Sequence, residues 1–280
     1  MKQKRKSIRF IIFALISFSL IDITGNFEKK ISTNTFAEKI NGKLFSKKES
    51  LQNDSVLEIP AKLKNCQELI LKRKGYTVSY NKHTLLPNWV AWQLTKNRTR
   101  GKNKRAKNIF IEDIEVPSPR ANNSDYKNSG WSRGHMCPAG DNKWDKDAMH
   151  ESFLLSNICP QNSKLNSGDW NEIEQTCRKW ATKHNKIYIV CGPIIPKEKQ
   201  ITIGHNQIVV PEAFFKVVLT LHEKPKGIGF ICENTDTNRK KDFYVKTIDE
   251  VEKITGIDFF HNLPNEIEKI VEAKANIADW

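Results

Sequence analysis

Three apolar runs restrict the fold more than anything else in the chain: Ile187-Tyr-Ile-Val-Cys191, Phe214-Phe-Lys-Val-Val-Leu-Thr-Leu221 and Gly227-Ile-Gly-Phe-Ile-Cys232. They are rich in β-branched and aromatic residues, too short for buried helices, and bounded by turn-forming residues, so each reads as a central strand. Tyr76-Thr-Val-Ser-Tyr80 and Trp89-Val-Ala-Trp-Gln-Leu-Thr95 read as two further strands, with an expected turn at Pro87-Asn88. Trp170, Ile173, Cys177 and Trp180 recur at helical spacing, with Asp169 and Glu172 placed to form a capping box. Thr247 with Glu250 makes a second capping box, and Gly256 stands where a helix C-terminal glycine belongs. Strands and helices mix without βαβ regularity. The expected class is therefore α+β, with a mixed, mostly antiparallel sheet and packed helices, in one domain over residues 56–280.

The segment before that domain reads differently. Lys2, Lys4, Arg5, Lys6 and Arg9 precede an apolar run from Phe10 to Ile23 that is too short to span a bilayer comfortably. Residues 1–25 match a secretory signal peptide or an N-terminal anchor, and the unbroken apolar run argues against a mitochondrial presequence. Residues 26–55 are polar and aperiodic, as in a linker. The expectation is an exported protein, periplasmic or secreted, or one anchored to the membrane through its N-terminal segment. Six cysteines would allow three disulfides there, but none has CxxC spacing and four lie inside apolar patterns, so buried thiols are expected for most.

Bulk charge suits a polyanionic partner, nucleic acid or an anionic membrane surface, and equally a Lys-rich composition with no target. The chain carries 46 Lys and Arg against 32 Asp and Glu, a net +14. From Lys62 to Asn108 there are thirteen basic residues and one acid, and Lys96, Arg98, Arg100, Lys102, Lys104, Arg105 and Lys107 follow one another without an acid between them. Such a run is a solvated loop by default; its position shortly before the polar motifs favours a rim that grips phosphate.

Those motifs occupy Gly130 to Arg178. Ser132-Arg-Gly-His-Met-Cys-Pro-Ala-Gly-Asp141 comes first, then Phe153-Leu-Leu-Ser-Asn-Ile-Cys-Pro-Gln161, then Leu165-Asn-Ser-Gly-Asp-Trp-Asn-Glu-Ile-Glu174. In order and spacing they resemble the DNA/RNA non-specific endonucleases, the ββα-metal family of endonuclease G and secreted bacterial nucleases. Cys191-Gly-Pro-Ile, Val210-Pro-Glu-Ala-Phe-Phe-Lys216 and Thr255-Gly-Ile-Asp-Phe-Phe260 extend the likeness to roughly residues 76–265. Ser132 departs from the Asp common in the family, at a position that supports the loop.

Phosphodiester hydrolysis needs a base for water, positive charge at the phosphate and fixed positioning. His135 is the one side chain of its run that ordinarily titrates near neutrality, which suits the base; the other reading is a hydrogen-bonded structural histidine. A neutral amide such as Asn166, with water completing the shell, matches the way Mg²⁺ is held, although an Asn near a helix start more commonly caps it. Glu174 and Arg178 are spaced i,i+4 on the expected helix, and the plain reading of that spacing is a surface ion pair. The resemblance implies Asn166 as the ligand of Mg²⁺, or of Mn²⁺ in its place. It implies Glu174 orienting water around the ion, Asn157 steadying the ion's surroundings, and Arg133, Arg105 and Arg178 at the phosphate. It also implies products ending in 5′-phosphate. A zinc site from His135, Cys137, Cys159 and Cys177 lacks the short ligand pairs of zinc modules. A Cys137–His135 nucleophile would need a thiol–base hydrogen bond that two-residue spacing alone does not supply. The function implied is a metal-dependent, sequence-non-specific endonuclease acting on DNA, RNA or both, without a small-molecule cofactor and compatible with a homodimer. The competing class is a non-catalytic basic nucleic-acid-binding surface protein, which would need the Lys and Arg but not His135, Asn166 and Glu174.

Overall fold

A computed structural model describes residues 56–64, 66–103, 110–236 and 238–280. The expected leader at 1–25, the linker at 26–55 and Arg105 lie outside the described residues. Residues 56–280 form a compact unit.

Its centre is a seven-stranded sheet in the order β1 (Leu69–Lys72), β2 (Thr77–Asn81), β3 (Leu86–Thr95), β6 (Lys186–Ile194), β9 (Ala213–Thr220), β10 (Lys226–Glu233) and β11 (Val245–Lys246). Every neighbouring pair is antiparallel. The three apolar runs are β6, β9 and β10, as their composition predicts. All eight residues of β9 are buried, because the sheet is covered on both faces and no side chain of this strand reaches water.

The two faces can be assigned from register. Lys216 lies on the face of Trp170, whereas Phe215 packs on Phe259 with ring centroids 5.4 Å apart. Gly227 and Gly229 of β10 pair with Leu219 and Val217, on the Phe215 side. That side is covered by α5 (Ile248–Thr255) and α6 (Asn265–Glu272). A Cβ at Gly227 would stand 2.5 Å from Ile248 Cδ1 and from Val271 O, so these helices approach β10 as closely as glycine allows.

On the other face lie two antiparallel strands, β4 (Ser132–His135) and β5 (Ile158–Gln161), followed by α3 (Ser163–Ser167) and α4 (Asp169–Lys183). Two short helices, α1 (Asn123–Tyr126) and α2 (Lys146–Glu151), flank β4, and β7 (Thr202–Ile203) pairs with β8 (Ile208–Val209). Trp170, Ile173, Cys177 and Trp180 are the buried side of α4, as their spacing predicts. All six cysteines are free thiols, five of them buried.

Two local expectations are corrected. Pro87 and Asn88 lie inside β3, and the turn falls at residues 82–85, where Leu85 takes the left-handed conformation with φ 56°. Pro87 is accommodated because it sits near the strand's start, beside a register shift between Ser79 and Tyr80 where the ladder is already interrupted. Asp169 is not a cap either. The chain breaks at Gly168 (φ −100°, ψ −109°), which occupies the N-cap position of α4 with no side chain to offer. The Asp169 carboxylate instead accepts from Tyr244 Oη and from Arg239 N, the latter at 3.3 Å. The Thr247/Glu250 capping box and the left-handed Gly256 that ends α5 (φ 71°) are both present.

Candidate active site

Arg133 and His135 are two apart on β4 and so face the same way. Between them, Gly134 leaves room that a side chain would fill: its Cβ would lie 2.1 Å from Oε1 of the buried Gln161 on β5. The half-buried His135 ring sits against Phe110 (5.4 Å between centroids) and meets the edge of Phe153 (5.1 Å, 87°). Trp170 Nε1 of α4 donates to the His135 carbonyl at 3.3 Å, joining the helix to the strand. Arg133 donates from Nη2 to Asn123 O at 2.8 Å, lies over the rings of Tyr126 and Phe110, and leaves a buried Nε without a partner among the described residues. An unmet guanidinium N–H on the same strand face as a histidine fits an anionic ligand.

Asn157 is a clip. Its Oδ1 accepts from Cys137 N at 2.9 Å, and its Nδ2 donates to Cys137 O at 2.9 Å and Ser152 O at 2.8 Å. The backbone adds Met136 N donating to Asn157 O at 3.0 Å. The chain directly after His135 is thereby fixed to the segment preceding β5. This fully buried amide acts through backbone geometry, with its donors and acceptor directed at the chain itself.

Asn162 is the residue that caps α3, accepting from Lys164 N at 2.9 Å and Leu165 N at 3.3 Å. Asn166, one turn later, is relieved of that task. α3 packs on β4, and the half-exposed Asn166 side chain makes no hydrogen bond among the described residues.

On α4, Glu174 and Arg178 do not pair with each other among the described residues. Arg178 Nη1 reaches Asp141 Oδ1 at 2.9 Å, in the turn after β4, and Trp92 Nε1 of β3 donates to Asp141 Oδ2 at 3.1 Å. Beneath them Lys216 of β9 is buried, its Nζ 4.3 Å from the centroid of the Trp170 ring and 5.2 Å from that of Trp92. Burial pushes the Glu174 carboxyl up to about 7; Lys216 and Arg178 pull it down and Asp141 pushes it further up. Burial opposes the charge on Lys216, but Cys191, Glu174, Cys177 and Asp141 outweigh it and hold the ammonium above its ordinary range. Burial likewise raises Asp141 against the pull of Arg178.

The structure thus brings together Arg133, His135, Asn157, Asn166, Glu174 and Arg178 on β4, the turn just before β5, α3 and α4. Asp141, Lys216, Phe110 and Phe153 belong to the same place and were not singled out as functional by the sequence. A lysine inside the apolar run Phe214–Leu221 was the one visible signal among them. The zinc alternative finds no support, since no three of His135, Cys137, Cys159 and Cys177 converge among the described residues. Burial drives the Cys137 thiol far above its usual range, which leaves it unfit as a nucleophile.

Donor chemistry fits a hydrated divalent ion. Asn166 offers an uncommitted amide oxygen, and Glu174 a carboxylate that forms no hydrogen bond among the described residues. So few protein oxygens, with space for water, match the preference of Mg²⁺.

An antiparallel strand pair carrying Arg and His, followed by helices carrying an uncommitted Asn and a Glu, is the arrangement of the ββα nuclease class. This chain belongs to the DNA/RNA non-specific endonuclease family, whose sequence profile matches residues 53–266. It is 35% identical over 208 residues to the mitochondrial nuclease EXOG of Xenopus laevis, a match covering 69% of this chain and 58% of that protein. Human mitochondrial endonuclease G is 36% identical over 157 residues, covering 52% of this chain and 53% of its own. A nuclease from Nostoc sp. is 31% identical over 230 residues, covering 78% and 82%. The chain therefore spans little more than half the length of the first two relatives. A crystal structure of the EndoG/EndoGI complex, on the mechanism of EndoG inhibition, superposes with a TM-score of 0.66 at 26% identity, covering 70% of this chain and 87% of the other.

Proposed function

We propose that this protein is a Mg²⁺-dependent, sequence-non-specific endonuclease that hydrolyses phosphodiester bonds in DNA, RNA or both, with Mn²⁺ as an alternative ion. The observation that carries the reading is His135 and the unsatisfied Arg133 on one strand face, packed on a helix whose Asn166 amide is uncommitted. His135 takes the proton from the attacking water, its ring held by Phe110 and Phe153. Arg133 meets the phosphate, with Arg105 and Arg178 contributing charge; Arg178 does so from a position fixed by Asp141. An ion held by Asn166 would supply positive charge at the phosphate and leaving oxygen, with Glu174 orienting water around it. Residues 56–280 are the nuclease domain, and residues 1–25 direct export or anchor the chain.

The test is to incubate the full-length protein with plasmid DNA and with RNA, in Mg²⁺ or in EDTA. Cleavage that EDTA abolishes supports the reading; binding without cleavage, or cleavage indifferent to EDTA, overturns it. Asn166→Ala should move the activity curve to higher Mg²⁺ concentration while nucleic-acid affinity stays near wild type, because the only proposed direct protein ligand is removed. An unshifted curve would place the ion elsewhere.

The basic run gives a second expectation. Arg98 is already engaged: Nη1 donates to Gln93 O at 2.7 Å and its guanidinium lies over Trp144. Arg100 and Lys102 are exposed and available, and Lys107 comes three positions before Phe110 in the sequence. In catalytically inactive His135→Ala protein, neutralising Lys96, Arg100, Lys102, Lys104, Arg105 and Lys107, with about three or four of them contacting phosphate, should flatten the log–log salt dependence of duplex binding by about 3, at about −0.9 per phosphate contact. Affinity should fall alike for unrelated sequences, since phosphates carry no base code. A salt titration of labelled duplexes measures both; an unchanged slope would assign this run to solvent.

A further inference from the structure

On the face of the sheet away from β4, the two helices over β10 carry a group of acids that the nuclease chemistry does not use. Asp249 and Glu252 stand i,i+3 on α5, and Glu272 is the last residue of α6. One carboxylate oxygen from each lies within 4.8 Å of the others. Asp249 is exposed, Glu252 half-buried and Glu272 only 7% exposed. Glu272 Oε1 is sealed from solvent and has no hydrogen-bond donor among the described residues. Glu252 commits Oε1 to Phe259 N at 2.7 Å.

Little among the described residues offsets this charge. In a chain with 46 Lys and Arg, none forms an ion pair with any of the three carboxylates among the described residues. Asp258 and Glu268 add further negative charge, eased only by His261 and Lys269 beside Glu268. Glu272 also ends α6, where the helix dipole disfavours an anion. Burial, then the carboxylates of Glu252, Glu268, Asp249 and Asp258, push Glu272 up to about 9, and burial pushes Glu252 up to about 7. A single proton on Glu272 would leave the remaining acids still repelling one another.

The geometry points to a divalent-cation site, suited to Ca²⁺, formed by Asp249, Glu252 and Glu272 and joining α5 to α6. Oxygen-only ligands select a hard cation, and three carboxylates exceed the one or two that Mg²⁺ usually accepts. A spread of 4.8 Å equals about twice a Ca²⁺–oxygen distance, so the three oxygens fit around one such ion. The exposed Asp249 leaves an entrance and room for water to complete the shell. An ion here would pin the helix pair that lies against Gly227 and Gly229, and it touches none of the groups proposed for phosphodiester hydrolysis.

Calcium chloride titrated into chelator-stripped full-length protein, followed by calorimetry and thermal melting, tests the site independently of activity. The expected result is bound calcium and a melting temperature higher by about 5 °C or more at saturation. Glu272→Gln should lose this response. Asp249→Asn, at an exposed position where folding is not at risk, should weaken calcium affinity by about tenfold or more. Asn166→Ala, altered only at the nuclease face, should keep it. No binding and no stabilisation in the wild type would overturn the site. So would a calcium response that survives in Glu272→Gln, that is unchanged in Asp249→Asn, or that disappears in Asn166→Ala.

Discussion

His135→Ala is expected to lower kcat by about 10²–10⁴ while leaving nucleic-acid affinity close to wild type. The residue is half-buried at the end of β4, and its ring is held between Phe110 and Phe153 rather than within the hydrophobic core, so alanine leaves the strand ladder intact. Register across β4 and β5 is carried by backbone pairs such as His135 with Ile158, which the substitution does not touch. Single-turnover cleavage of a labelled duplex, alongside binding of the same duplex in EDTA, separates chemistry from affinity. More than about a tenth of wild-type kcat in a folded variant would mean that another group activates the water.

The second large effect concerns stability. Asn157→Ala strands the Cys137 N–H and the carbonyls of Cys137 and Ser152, all within a buried segment. At about 1–3 kcal/mol for each of the three unmet groups, the loss is about 3–9 kcal/mol, or a fall in melting temperature of about 10 °C or more. Asn157→Asp should be no better, although it is nearly isosteric. Its second oxygen would replace the Nδ2 donor and face two carbonyl oxygens. Calorimetry of both variants measures the loss, and a melting temperature within a few degrees of wild type would show that the clip is not what fixes the chain after His135.

Much of this fold was readable because its signals are local and strong. β6, β9 and β10 are continuous apolar runs, and α4 has a clear 3.6-residue stripe. Where reading failed, a distant partner or the backbone prevailed over a local pattern. Asp169 and Glu172 satisfy a capping-box spacing, but Gly168 takes the cap position, and Tyr244 with Arg239, some seventy residues away, claims the carboxylate. Glu174 and Arg178 have helix-pair spacing, yet Arg178 turns to the buried Asp141, which offers a stronger field than a partly exposed neighbour. Pro87-Asn88 has turn chemistry, but the hydrophobic requirement of β3 draws both into the strand. The motif residues of the site were legible by resemblance. Phe110, Phe153 and Asp141 were not, because their roles exist only once β3, β4 and α4 have met.

Lys216 divides the electrostatics of this protein into two kinds. Arg100 and Lys102 stand in solvent, where added salt screens them within roughly a Debye length. Lys216 is sealed beneath Trp170 and Trp92, beyond the reach of mobile ions. Salt can therefore weaken capture of a polyanion without dimming the field beneath Glu174. The molecule carries an outer charge that its surroundings regulate and an inner charge that they do not.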